Sequence, residues 1–120
     1  MHVLQPLIHC IYEFKVLNCK WRNSMKNNLN TAEVDQLFDA ILSLETKEEC
    51  RKFFKDICTV NELLTFAQRF DVGIRLLNGS TYQEVSKETG ASTATISRVR
   101  RLLNDDEDGL EMAAERITQK

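Results

Sequence analysis

Proline occurs once and glycine four times in 120 residues. A β-sandwich or barrel needs far more turn residues than that, so both are excluded. No apolar run approaches the roughly 18 residues of a membrane-spanning helix. Histidine is limited to His2 and His9, and the cysteines Cys10, Cys19, Cys50 and Cys58 match neither a zinc knuckle nor a Cys-x-x-Cys redox pair. No set of four metal ligands can be assembled from them. Reduced thiols in a cytoplasmic protein are the expectation, with a disulfide framework as the alternative. An excess of positive charge is also missing: 16 Lys and Arg against 18 Asp and Glu give −2. That excludes coating nucleic acid by bulk charge and leaves room for a local basic patch. With 42% hydrophobic residues the chain can build one core. A small soluble all-α domain is expected.

Residues 1–24 differ in style from the rest. They lack a basic residue ahead of the apolar stretch, Glu13 and Lys15 interrupt it, and no small-residue cleavage site follows, so a signal peptide fits poorly. Trp21 must be encoded TGG; with an AGG codon for Arg22, Trp21-Arg22-Asn23 contains GGAGGA, a bacterial ribosome-binding sequence just ahead of the ATG of Met25. Residues 1–24 are thus expected to be translated leader, the alternative being a disordered or β-prone arm with a strand near Ile8–Leu17. Residues 25–120 form the helical domain. Without Glu13, Lys15, Lys20 and Arg22 the balance is 13 basic to 17 acidic, a charge of −4.

Four positions fit the capping box, in which a polar side chain closes a helix start and a Glu three residues on reaches back. They are Asn30–Glu33, Thr46–Glu49, Thr59–Glu62 and Thr81–Glu84, and Ser92 adds a fifth start. Gly79 and Gly90 read as helix stops. Helices are expected over about 31–44, 47–57, 60–78 and 107–118, besides the pair described below. In the third, Leu63, Phe66, Ala67, Phe70, Ile74 and Leu77 make one face while Leu64, Val72 and Leu76 spread the rest. A helix apolar nearly all round is buried on several sides. So short a chain can hardly supply the neighbours, and a shared homodimer core is the natural solution, with a central helix of a monomeric bundle as the alternative. The acidic run Asp105–Asp108 suits a solvated helix start. Asp35, Asp39, Glu48 and Glu49 look like ordinary solvent-facing carboxylates.

The segment Thr81 to Arg101 carries the functional signal: a short helix, a glycine turn and a second helix. Val85, five residues before Gly90, and Ile96, six after it, can both face inward, and Gly90 can take the left-handed turn conformation. Ser86 is small where the helices come closest. This is the helix-turn-helix pattern, spanning about 81–103, whose second helix enters the DNA major groove. Thr93, Ala94 and Ser97 are small enough to approach base edges. Arg98, Arg100 and Arg101 follow, and Ser92 and Thr95 can donate to phosphates. From Glu84 through Arg101, four basic residues face two acidic ones. Such local positive charge is the footprint of a specific binder, although an Arg-rich face can also be merely solvated. No nucleophile–base pair or phosphate-cradling loop competes, so no catalytic residue or cofactor is assigned and no enzyme is expected.

Residues 30–103 resemble the tryptophan repressor family, in particular its YerC/YecD-type group. The resemblance rests on Thr59-x-x-Glu62, Arg69, Leu76-Leu77-Asn78-Gly79, Gly90-Ala91 and Ala94-Thr95-Ile96-Ser97-Arg98. It implies an all-helical intertwined homodimer of about six helices that represses transcription in the bacterial cytoplasm, on a near-palindromic operator of double-stranded DNA. The family's DNA-facing positions fall on Gln83, Ser86, Thr93, Ala94 and Ser97. Gln83 and Ser86 stand where the family has basic residues, so Arg100 and Arg101 are expected to compensate and the operator to differ. The family's co-repressor slot maps to Arg69, Thr95 and Arg98. The family glycine after the second arginine is here Val99, whose branched side chain should intrude. Asp56 and Cys58 replace apolar pocket residues, and a buried or half-buried carboxylate there would cost several kcal/mol unless paired. Tryptophan is therefore not expected as ligand. Arg69 and Arg98 either clasp a different small carboxylate or brace the reading head against the third helix, the latter preferred. The rival readings are an adaptor binding a protein through its acidic C-terminal face, Asp105 to Glu115, and a DNA-reading recombinase fragment.

Overall fold

The computed structural model describes residues 29–105 and 108–120. The leader or arm expected at 1–24 lies outside the described residues, with His2, His9, Cys10 and Cys19, and so do Met25, Asp106 and Glu107. Among the described residues there are six helices: α1 (Ala32–Leu42), α2 (Lys47–Ile57), α3 (Val60–Leu77), α4 (Tyr82–Thr89), α5 (Thr93–Asn104) and α6 (Gly109–Thr118). They divide into two units at Thr46/Lys47. None of the helices is long and apolar enough to cross a membrane.

In the first unit, α1 starts one residue later than the Asn30–Glu33 pattern indicated. Thr31 is the N-cap: its backbone is extended and its hydroxyl accepts from the Val34 N–H at 3.3 Å. A β-hydroxyl three residues before an orphan N–H is the favoured geometry, and Thr31 supplies it. The helix closes at Ser43, short of residue 44, because the Ser43 hydroxyl donates to the Ala40 carbonyl at 2.6 Å. No residue of α1 is buried; Phe38 and Leu42 are exposed.

In the second unit, α3 is the scaffold on which α4, α5 and α6 pack, with α4 also against α5. Complete capping boxes start α3 and α4. The Thr59 hydroxyl accepts from the Glu62 N–H at 3.2 Å while a Glu62 carboxylate oxygen accepts from the Thr59 N–H at 2.7 Å. Thr81 and Glu84 repeat the exchange at 3.3 and 2.7 Å. These bonds, the backbone one foremost, hold both carboxyls below their ordinary value of 4.5.

The core joins Val72 and Leu76 of α3 to Val85 of α4, Ala91 of the turn, and Ile96 and Val99 of α5, with Leu103 and Leu110 against it. Each fully buried aliphatic side chain contributes about 1.5–3 kcal/mol relative to exposure. Gly73 is needed for close approach: a Cβ there would lie 2.5 Å from Leu110 Cδ2, so the glycine is the notch into which α6 docks.

The apolar faces of α3 are covered unequally. Its richest apolar face does not lie against the core: Phe66, Ala67 and Leu77 are exposed and Leu63, Phe70 and Ile74 only half-buried. The chain buries Val72, Gly73 and Leu76 instead. At about 100° per residue, Val72 and Leu76 lie nearly opposite that face. Within this unit, α4, α5 and α6 pack against α3, and its richer apolar face stays largely open. The apolar side chains of α2 fare similarly. Phe53 and Phe54 stack edge-on at 5.4 Å, half-buried, and Ile57 is exposed.

Candidate nucleic-acid interface

The turn between α4 and α5 is built from short-range chemistry. Gly90 sits at φ +72°, and nothing lies within 4 Å of where its Cβ would be, so glycine is required by the backbone and not by crowding. Its N–H donates to the Ser86 carbonyl at 2.9 Å. The Ser86 hydroxyl donates to the Ala91 carbonyl at 3.0 Å. The Thr89 hydroxyl donates to the Val85 carbonyl at 2.6 Å and accepts from the Ala91 N–H at 3.2 Å. Val85 and Ile96, expected to face inward, are both 0% exposed and lock the two helices together.

Ser92 caps α5, its hydroxyl accepting from the Thr95 N–H at 3.2 Å. The Ser92 and Thr95 hydroxyls also lie 3.1 Å apart, so one donates to the other and a single hydroxyl proton of the pair is left for a phosphate.

Along α5, Ile96, Val99 and Leu103 form the stripe that faces the core. Thr93, Ala94, Arg98, Arg100 and Arg101 are exposed and Ser97 half-buried. At about 100° per residue these six positions share an arc of about 160°, centred roughly opposite the buried stripe. No acidic residue stands in the first turn of α5. None of the three arginines makes a hydrogen bond or ion pair with another described residue. Arg51 is paired with Glu48, and Arg75 with Asp71 and Glu88, whereas Arg69 and Arg116 are, like the α5 arginines, without such a partner among the described residues. The arginines of α5 thus keep their full donor sets for an outside anion.

Gln83, Ser86 and Thr93 line one open depression between α4 and α5, together with Tyr82 and Lys87. Ser86 already spends its proton on the turn, which leaves it as a small acceptor and spacer. Tyr82 and Lys87 were not singled out in the sequence. Lys87 is the basic residue that α4 brings to this depression, where Gln83 and Ser86 carry no charge, and its position within the helix-turn-helix pattern was the available signal.

The residues mapped to an effector slot are distributed differently. Arg69 is half-buried on α3 and Arg98 exposed on α5; neither is tied to the other or to any described residue by a hydrogen bond or ion pair. Thr95 is half-buried and bonded to Ser92. Val99 is 1% exposed, part of the core and not the wall of an opening. Asp56 is exposed, so the burial penalty expected for it does not arise. The Cys58 thiol, half-buried, donates to the Phe54 carbonyl at 3.1 Å. The polar ties from α3 to α4 come from Gln68, whose Nε2 donates to the Thr89 carbonyl at 3.2 Å, and from Arg75, whose Nη1 donates to Glu88 Oε2. Among the described residues no three His, Cys, Asp or Glu side chains could hold a metal ion.

Comparison with known proteins agrees with this architecture. The chain is 52% identical over 93 residues to the uncharacterized protein YerC of Bacillus subtilis (strain 168), spanning 78% of this chain and 89% of that protein. A crystal structure of a TrpR-like protein from Eubacterium eligens ATCC 27750 superposes with a TM-score of 0.73 at 50% identity, covering 75% of this chain and 93% of that one. A candidate Trp repressor from Staphylococcus aureus also gives 0.73, at 48% identity, with 77% and 92% covered. The family described as Trp repressor protein matches residues 32–118. With most of its length matched, and with relatives at about half identity over nearly their whole chains, the protein belongs to the Trp repressor protein family.

Proposed function

We propose that the protein is a sequence-specific DNA-binding regulator of transcription that acts as a repressor. Family membership supports DNA-binding regulation and speaks against catalysis. The observation that carries the reading is the outward arc of α5: small and hydroxylated side chains beside three unpaired arginines, opposite a buried stripe. In this reading α5 enters the major groove with Thr93, Ala94 and Ser97 against base edges. Arg98, Arg100 and Arg101 take phosphates, as do Lys87 and the free hydroxyl of Ser92 or Thr95. Gln83 and Ser86 meet the groove edge from α4. Repression follows from occupancy of the site.

The working unit is a homodimer. Its support is the uncovered apolar face of α3, together with exposed Ile57, Val60, Leu64 and Phe66. Leaving so many large apolar groups in water is unfavourable, and a second copy can cover them. In helix-turn-helix dimers the half-sites lie one helical turn, about 34 Å, apart, so a near-palindromic operator follows. No cofactor takes part. A small carboxylate other than tryptophan is the effector this reading allows, at Arg69 and Arg98. The protein acts in the bacterial cytoplasm.

Selection of bound fragments from genomic DNA, followed by salt titration, is the test. Enriched fragments should share a near-palindrome, with affinity falling log-linearly with salt. An adaptor acting through its acidic C-terminal face would instead show weak, sequence-blind DNA binding.

A further inference from the structure

α4 has one buried residue, Val85. Apolar contact is non-directional, so a single buried valine on an eight-residue helix leaves its roll about its own axis weakly set. Two directional contacts from α3 act on that roll, and both reach the last turn of α4. Gln68 Nε2 donates to the Thr89 carbonyl at 3.2 Å, and Arg75 Nη1 donates to Glu88 Oε2. Arg75 is itself held: its Nε donates to Asp71 Oδ1 at 3.2 Å, one helical turn back on α3. A guanidinium is a rigid planar fork, so fixing Nε on Asp71 fixes where Nη1 points. The chain is thus gripped at residues 88 and 89, immediately before the Gly90 turn that launches α5.

We propose that Arg75, oriented by Asp71 and bonded to Glu88, is a positioning residue that sets how α4 and the Gly90 turn present the reading face to DNA. This rests on the DNA-binding reading above. Arg75 and Glu88 are one-third and one-half exposed, so the pair adds little to global stability. Its effect lies in which orientation of the head is populated, and it acts in both heads of a dimer.

The sign of one substitution separates positioning from simple charge. Glu88→Gln removes a negative charge from the helix-turn-helix unit, and electrostatics alone would tighten binding to every duplex. Positioning requires the opposite for the operator: its affinity falls roughly three- to tenfold, as expected for loss of an exposed pair in two heads, while affinity for random duplex holds or rises. Arg75→Lys keeps the charge but replaces the rigid fork by one freely rotating nitrogen that fixes no direction, and shows the same operator loss. The urea midpoint stays near the parent's in both. The amides of Gly90 and Ala91, bonded within the turn, exchange faster with solvent in both variants measured without DNA. Operator affinity of Glu88→Gln equal to or above the parent's, with unchanged exchange at Gly90 and Ala91, overturns the proposal and leaves DNA binding intact. A parent protein that discriminates no duplex overturns the DNA-binding reading; faster exchange in the variants would then still support the tie, and unchanged exchange would remove both.

Discussion

Replacing Gly73 by alanine sets two effects of opposite sign against each other, and the structure says which wins. In a helix interior alanine is favoured over glycine by about 1 kcal/mol. The new Cβ, however, would lie 2.5 Å from Leu110 Cδ2, 2.7 Å from Cδ1 and 3.1 Å from Cγ, against a carbon–carbon optimum of about 3.5–4.0 Å. Leu110 is half-buried and can turn, but overpacking of this kind costs about 1–3 kcal/mol. The net expectation is a loss of about 0–2 kcal/mol, with α6 loosened from α3. Shortening Leu110 to alanine removes the obstacle and leaves only the propensity gain. In that background Gly73→Ala should stabilise by about 1 kcal/mol, a reversal of sign. Urea unfolding followed by circular dichroism, with all four proteins at one protomer concentration, closes the cycle. The same sign in both backgrounds would refute the notch.

Four further outcomes follow from the same contacts. Gly90→Ala should destabilise by about 1–2 kcal/mol because its φ is left-handed, and Gly90→Asn by less, in the same urea assay. Ile96→Ala, emptying the most voluminous fully buried site, should cost about 2–5 kcal/mol. The Glu62 and Glu84 carboxyls titrate below 4.5, so their caps stabilise α3 and α4 above that pH and are lost as pH falls through the lowered values. Carbon-detected NMR titration checks this, and Thr81→Ala, which removes the hydroxyl but keeps the backbone donor, should return Glu84 only part of the way toward 4.5. Thr93→Ala or Ser97→Ala should change preference at one base pair of each half-site by about 1–3 kcal/mol, whereas Arg101→Ala weakens all sequences alike and lowers the salt slope by about 2, one contact per protomer; binding isotherms on variant operators separate the two.

What the sequence disclosed follows the range of each interaction. The boxes at Thr59–Glu62 and Thr81–Glu84, the cap at Ser92 and the left-handed glycines at 79 and 90 are written within four residues of where they act, and their positions in the structure match. The inward pairing of Val85 with Ile96 was legible because both are referenced to Gly90. The choice of Thr31 over Asn30 was not, since adjacent polar residues offer nearly equal caps. Contacts that join distant positions left no local trace: Gln68 to Thr89, Arg75 to Glu88, and Gly73 to Leu110. The α3 helix shows the limit most clearly. Its apolar pattern called for burial on several sides, but periodicity cannot say which side its own chain covers. Val72 and Leu76, the minority by pattern, form the core, while the larger face of Phe66, Ala67 and Leu77 stays open.

A DNA-binding regulator of this build must bring the outward arc of α5 onto duplex DNA. Amide chemical shifts followed while the selected operator is titrated into labelled protein give the most direct answer. Perturbations concentrated between Gln83 and Arg101, with α6 unaffected, are the predicted result. Shifts confined to α6, or none at saturating duplex, would contradict it.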